Sequence, residues 1–126
     1  MKRTLALLVS VALTGCGGGA HHRPVPRKAE FAAAADAICA HATTRSSRLA
    51  RLHGLRAPSG MEDLYNHWLN AEKAALEAVK PRKGPPAPHE PDPAVALAIA
   101  QGQIAGYARR LHADGCAAGA TGTLPP

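Results

Sequence analysis

The fold is decided by the stretch Phe31-Ala-Ala-Ala-Ala-Asp36-Ala-Ile38-Cys39-Ala40. Alanine has the highest helix propensity of any residue, and Phe31, Ala35 and Ile38 follow the four- and three-residue spacing of an apolar helix face. The spacing continues to Leu52 and predicts a first helix at about 28–53.

A second helix is predicted over 61–79. Apolar residues recur there at helical spacing until Pro81 ends the pattern. Ser59 and Glu62 match a capping box, in which side-chain oxygens accept hydrogen bonds from the amides left free at a helix start.

A third helix is predicted over about 93–113. Asp92-Pro93 combines an acidic N-cap with a proline in the first turn, and Gly115 marks the C-terminal end. Before it, the segment 81–93 contains six prolines and predicts an extended crossover. Residues 117–126 have no hydrophobic period and are predicted to be a disordered tail.

These elements predict an all-α domain over residues 28–116, a small three-helix bundle with a long proline-rich crossover. No segment shows the alternation of a strand. A chain of 126 residues has room for one core, and 3% aromatic residues argue against the large pocket of a typical enzyme. The crossover is long enough to run back along the bundle, which predicts a third helix parallel to the second and antiparallel to the first.

The N-terminal region has the pattern of an export signal. Lys2 and Arg3 precede a short apolar run at 5–13, far below the roughly 20 residues that span a bilayer. Leu13-Thr14-Gly15-Cys16 then resembles the lipobox of bacterial lipoproteins, in which small residues precede a cysteine whose thiol accepts a diacylglyceryl group. The alternative is an ordinary secretory signal with a cysteine near its cleavage point.

The lipobox resemblance implies a signal peptide over residues 1–15 and a mature chain that begins at lipidated Cys16. Two or three acyl chains, typically palmitate, would then hold the protein stably to the membrane. Residues 16–27 are rich in Gly and Pro and are predicted to be a flexible tether. The domain is therefore expected at the extracytoplasmic face of the cell membrane.

The chain is basic, with a net charge of +6 that falls to +4 when the signal and its two basic residues are removed. An exported chain without basic–aromatic interleaving or a helix-turn-helix spacing is not expected to bind nucleic acid. Basic residues near the lipid would instead be attracted to anionic headgroups. Arg45, Arg48 and Arg51 recur every third residue and predict a solvated basic face rather than an anion site.

Two cysteines remain if Cys16 carries lipid. Cys39 and Cys116 are an even number in an oxidising compartment, and we expect them to form a disulfide. The alternative is a zinc site that adds His41 and His112. Residues two apart on a helix point about 200° from each other, so Cys39 and His41 are not expected to face one ion.

The stretch around Cys39 also carries a wider resemblance. Together with Gly106-Tyr107-Ala-Arg-Arg-Leu111 and Gly115-Cys116, it resembles a loose group of small exported proteins of GC-rich Gram-positive bacteria. The resemblance implies a disulfide-closed helical bundle and no particular activity, because the function of the group is not established. Leu111-His-Ala-Asp-Gly115 departs from the Tyr-Gly-Leu-like turn that is usual before the second cysteine.

The chain has none of the motifs that usually identify an enzyme: a Gly-x-Ser-x-Gly elbow, a phosphate-binding loop or a His-Glu-x-x-His pair. Asp36 and Glu72 are carboxylates near the predicted core. We expect Asp36 to lie in the first turns of its helix, where the helix dipole favours it, and Glu72 to lie on a polar edge. The sequence therefore predicts no enzyme activity, no cofactor and no metal ion.

Two functions stay open. The first is a lipid-anchored helical interaction module that contacts an envelope protein partner, with Trp68 in its core. The second is an extracytoplasmic lipoprotein that binds a small ligand. Tyr65, Trp68 and Tyr107 form the candidate ligand or partner patch, and an exposed Trp68 would favour such a patch.

Overall fold

A computed structural model describes residues 24–126, which form five α-helices. These are α1 (Lys28–His41), α2 (Arg45–His53), α3 (Glu62–Val79), α4 (Pro93–Arg110) and α5 (Asp114–Gly119). The predicted all-α class is confirmed, and no strand occurs within 24–126. The predicted signal peptide, Cys16 and most of the predicted tether lie outside the described residues.

The predicted first helix is in fact two helices. The backbone becomes extended at Ala42, and α2 starts after Thr44. The Thr44 hydroxyl accepts a hydrogen bond from the backbone amide of Ser47 at 3.1 Å, and the Thr44 amide donates to the Ser47 hydroxyl at 3.4 Å. This reciprocal cap supplies partners for amides at a helix start, so it favours a break at this point. The apolar spacing runs across the break and does not reveal it.

The predicted start of α4 is confirmed, whereas the predicted cap of α3 is not. Asp92 caps α4 as expected, because its Oδ1 accepts a hydrogen bond from the amide of Ala94 at 2.8 Å and Pro93 occupies the first turn. The capping box at Ser59 is wrong. Met61 is the N-cap of α3 and makes no side-chain capping bond, which leaves Glu62 as the first helical residue.

Helices α3 and α4 are antiparallel. The rings of His67 and Tyr107 lie 5.8 Å apart, and Arg110 at the end of α4 lines one groove with Met61 and Asp63 at the start of α3. The predicted parallel arrangement is therefore wrong. Two long helices in sequence bury their apolar faces most directly as antiparallel neighbours, so the proline-rich segment connects adjacent helix ends instead of running back along the bundle.

The chain reverses sharply after α4. His112 adopts a positive φ of 60°, a backbone conformation that few residues other than glycine take, and α5 follows at once. Gly115 does not end the third helix as predicted, because it lies inside α5. A Cβ at Gly115 would lie 3.0 Å from the Asp36 side chain, so glycine is what lets α5 approach α1 closely.

The helices form a closed ring. Each helix packs against the next in sequence, and α5 returns to pack against α1. Cys39, in the last turn of α1, is joined by a disulfide to Cys116 in α5, with Cα atoms 5.2 Å apart. The predicted disulfide is thus present. The backbone amide of Cys116 also donates a hydrogen bond to Asp36 Oδ1 at 3.0 Å, a cross-helix role that differs from the dipole effect expected for Asp36.

The core lies inside this ring and confirms the predicted placement of Trp68, which is fully buried. Its other large, nearly inaccessible apolar side chains come from α1, α2, α4 and the following turn: Phe31, Leu52, Ile104 and Leu111. Much of the remaining buried surface is alanine. Because alanine buries little apolar area, the closing covalent bond contributes a large share of the net stability.

The predicted disordered tail is wrong for this structure. Ala117 and Ala120 are buried, and the carbonyls of Gly122 and Pro125 accept hydrogen bonds from Arg45. The absence of a hydrophobic period in residues 117–126 does not prevent this, because backbone carbonyls make the hydrogen bonds and small side chains fill the contact.

We expect the variant with both Cys39→Ser and Cys116→Ser to lose about 4 kcal/mol of unfolding free energy, since the bond closes a loop with a sequence separation of 77 residues. Urea denaturation of the variant and of the wild type measures the loss. Wild-type protein under a reducing agent is the control and should unfold near the variant's midpoint. Two free thiols in unreduced, exported wild-type protein would contradict the bond.

Candidate functional site

Three charged residues are buried between α2 and α3. Arg45, Arg48 and Glu72 are 2%, 2% and 1% exposed. The predictions of a solvated basic face and of a polar edge at Glu72 are therefore wrong. A three-residue step turns only about 60° around a helix, so Arg45 and Arg48 share the face that buries Leu52, and only Arg51 of the series points to solvent.

Arg48 and Glu72 form a buried ion pair. Arg48 Nη2 and Nε lie 2.7 Å and 3.1 Å from Glu72 Oε2. The other carboxylate oxygen, Oε1, accepts a hydrogen bond from Trp68 Nε1 at 3.2 Å. Both oxygens of Glu72 are thus satisfied, as a buried carboxylate requires. The pair fixes how α2 sits on α3, and it also gives the indole of Trp68 its partner.

Arg45 lacks such a counter-ion. Its Nη2 donates to the carbonyl of Gly122 at 3.1 Å, while the buried Nε and Nη1 atoms have no hydrogen-bond partner. Burial away from water and the nearby Arg48 charge lower the pKa of the Arg45 guanidinium, against the opposing effect of Glu72. Two cations and one carboxylate leave this cluster with one uncompensated positive charge.

The predicted aromatic patch is not a surface. Tyr65 and Trp68 belong to the core, where edge-to-face contacts join Phe31 to Tyr65 and Tyr65 to Trp68, with ring centroids 5.2 Å and 6.2 Å apart. Burial raises the pKa of Tyr65 to about 12, and its hydroxyl donates to the carbonyl of Leu52. Tyr107 is half-buried against His67. The three side chains therefore do not form one accessible ligand site.

The outward face of α4 is apolar and uncovered. Val95 and Ile99 are 53% and 57% exposed, and Ala98 and Gly102 beside them are also exposed. The helix carries no charged side chain from Pro93 to Ala108. The sequence carries a signal for this face, because the four residues recur at helical spacing opposite the buried Ile104.

Two surface grooves accompany these features. One, of about 230 Å³, lies between Pro26, Phe31 and Leu55, and the other, of about 480 Å³, lies between Leu64, His67 and Arg110.

Within the part of the chain that the structure describes, no three His, Cys, Asp or Glu side chains come together as metal ligands. None of the helices within residues 24–126 has the length and hydropathy needed to cross a bilayer.

Comparison of the chain with protein-family models, with curated proteins and with solved structures finds no significant match.

We expect Arg48→Met to lower the unfolding free energy by about 3–5 kcal/mol, because it leaves the Glu72 carboxylate buried without its cation. Adding Glu72→Leu to Arg48→Met should recover part of the loss, since the double variant no longer buries a carboxylate without its cation. Urea denaturation measures each value. Arg51→Met, on the exposed side of the same helix, is the control and should change stability by less than about 0.5 kcal/mol. Equal losses for the two arginines would show that the ion pair does not orient α2.

Proposed function

We propose that the protein is a lipid-anchored helical module at the extracytoplasmic face of the cell membrane, which acts by contact with an envelope protein. The observation that carries the proposal is the Cys39–Cys116 disulfide, because such bonds persist in oxidising compartments outside the cytoplasm. Together with the lipobox-like Leu13-Thr14-Gly15-Cys16, it supports export followed by anchoring. Contact is favoured over small-ligand binding because Tyr65 and Trp68 are occupied in the core.

The outward face of α4 is the contact surface in this proposal. Two large β-branched side chains, Val95 and Ile99, stand in solvent on a helix whose opposite side is fully packed. Adjacent exposed apolar side chains of this kind are typical of a surface that a partner covers. Gly102 lies on the same face with no atom near its missing Cβ, so a partner backbone has room to approach the helix closely.

The charges at the two ends of α4 define the chemistry of the partner. Asp92 is exposed at the start of this face and Arg109 is exposed at its end, with no charge between them. A complementary surface is apolar in the middle, carries a carboxylate opposite Arg109 and carries a basic group opposite Asp92. Such charges set orientation and exclude other partners more than they add affinity.

The lipid anchor is tested by Cys16→Ser. The hydroxyl does not replace the thiol in this modification, so cells fed a clickable fatty acid should label the wild type and not the variant. The variant should also be lost from the membrane fraction after washing. Gly19→Ala, which keeps the cysteine, is the control and should label fully. Equal labelling of Cys16→Ser and wild type would refute the lipid anchor.

The contact surface is tested with a photo-crosslinking residue at position 95 in intact cells. We expect a crosslinked product with an envelope protein. Adding Ile99→Ser should lower the yield of this product about ten-fold. Adding Arg109→Glu should lower it again, because the new glutamate repels the carboxylate proposed on the partner. The urea midpoint should stay unchanged, because both side chains are exposed.

Lys73→Ser, at an exposed position on α3, is the matched control and should leave the crosslink intact. A yield that Ile99→Ser leaves unchanged would refute this surface. A product made only of two copies of this chain would refute a separate envelope partner.

A further inference from the structure

We propose that Arg45, together with the first turn of α2, is a binding site for a small monovalent anion such as chloride, and that residues 120–126 form its cover. The site is distinct from the lipid anchor and from the outward face of α4, so it stands whether or not the proposed function does. It is built from a buried side chain, a helix N-terminus and a backbone segment that meet at one place.

The uncompensated charge is the first reason. Arg48 and Glu72 neutralise each other through two hydrogen bonds, and the second oxygen of Glu72 is held by Trp68. Among residues 24–126, no carboxylate forms an ion pair with Arg45. Arg45 Nε carries one N–H group and Nη1 carries two, and all three are buried without an acceptor. A buried cation with donors that lack an acceptor is costly, and a bound anion balances the charge and accepts a hydrogen bond from Nε or from Nη1.

The helix start is the second reason. Thr44 accepts the amide of Ser47, but no acidic residue stands in the first turn of α2 to balance the partial positive charge of its amides. The amide of Arg45 and its guanidinium both bond to the same short segment, at the carbonyls of Pro125 and Gly122. The helix start and the side chain therefore face the same segment of the chain, and both favour negative charge nearby.

Residues 120–126, which cover Arg45, provide the route by which an anion reaches it. Between residues 121 and 126 every side chain except the half-buried Leu124 is exposed, and the hydrogen bonds from Arg45 to the segment go to the neutral carbonyls of Gly122 and Pro125. An anion adds a Coulombic attraction to the guanidinium that a neutral carbonyl does not offer. The segment can therefore move aside and close again over a bound anion without breaking any ion pair.

Crystals of the protein grown in sodium bromide test the site directly. We expect an anomalous scattering peak within hydrogen-bond distance of Arg45 Nε or Nη1, at about 3.3 Å. Ordered water molecules on both nitrogen atoms and no bromide would overturn the proposal. This measurement uses the wild-type chain and therefore stands even if a substitution at Arg45 prevents folding.

Thermal unfolding in solution separates a real site from an adventitious ion only. Raising chloride from about 1 to 100 mM, at constant ionic strength with sulfate as the balancing anion, should raise the Tm of the wild type by several degrees through mass action. Arg51→Gln removes the same charge from the exposed side of α2 and should keep the shift, while Arg45→Gln should abolish it. Equal shifts in all three proteins, or no shift in the wild type, would overturn the proposal and leave any bromide peak as an adventitious ion only.

Discussion

The return of α5 to α1 is the constraint on which the rest of the structure depends. Each of the other helix contacts joins neighbours in sequence and closes only a short loop, whereas this contact joins the two ends of the domain. The Cys39–Cys116 bond makes it covalent, and Asp36 holds the amide of Cys116 beside it. Because the core consists largely of alanine, packing gives less apolar stabilisation than larger side chains would, and the absence of a Cβ at Gly115 lets α5 lie close against Asp36 of α1.

Closure of the ring also places a covering segment over Arg45. Once α5 has returned to α1, the residues after it continue over the start of α2 and cover Arg45. Arg48 is paired with Glu72, but the carbonyls above Arg45 are neutral and cannot balance its charge. The buried Arg48–Glu72 pair requires one particular arrangement of α2 and α3, and burying the two charges costs desolvation energy. Arg45 is left as the cation that a ligand could pair with.

The large aromatic side chains and the exposed apolar side chains lie in different parts of the domain. Tyr65 and Trp68, two of the three side chains predicted to form a binding patch, belong to the core instead, where Trp68 connects the apolar side chains to the carboxylate of Glu72. The uncovered apolar surface is on α4, whose other side packs against α3. The proposed function draws on this division, because Val95 and Ile99 leave the outward face of α4 exposed while Tyr65 and Trp68 are buried in the core.

Local sequence by itself determined the helical class, the start of α4 at Asp92 and the pairing of the two cysteines, because propensity, capping and cysteine number act through near neighbours or through simple counting. Tertiary structure alone decided the direction of α4, the burial of Arg45, Arg48 and Glu72, and the docking of residues 120–126. Arg45 and Arg48 lie on the same buried face of α2 as Leu52. The sequence alone could not show this, since a charged residue is expected to be exposed until a partner on another helix is known. The physical reason is the same in each case: a buried charge or a covering carbonyl is stabilised by groups that are distant in sequence, and only the folded chain brings those groups together.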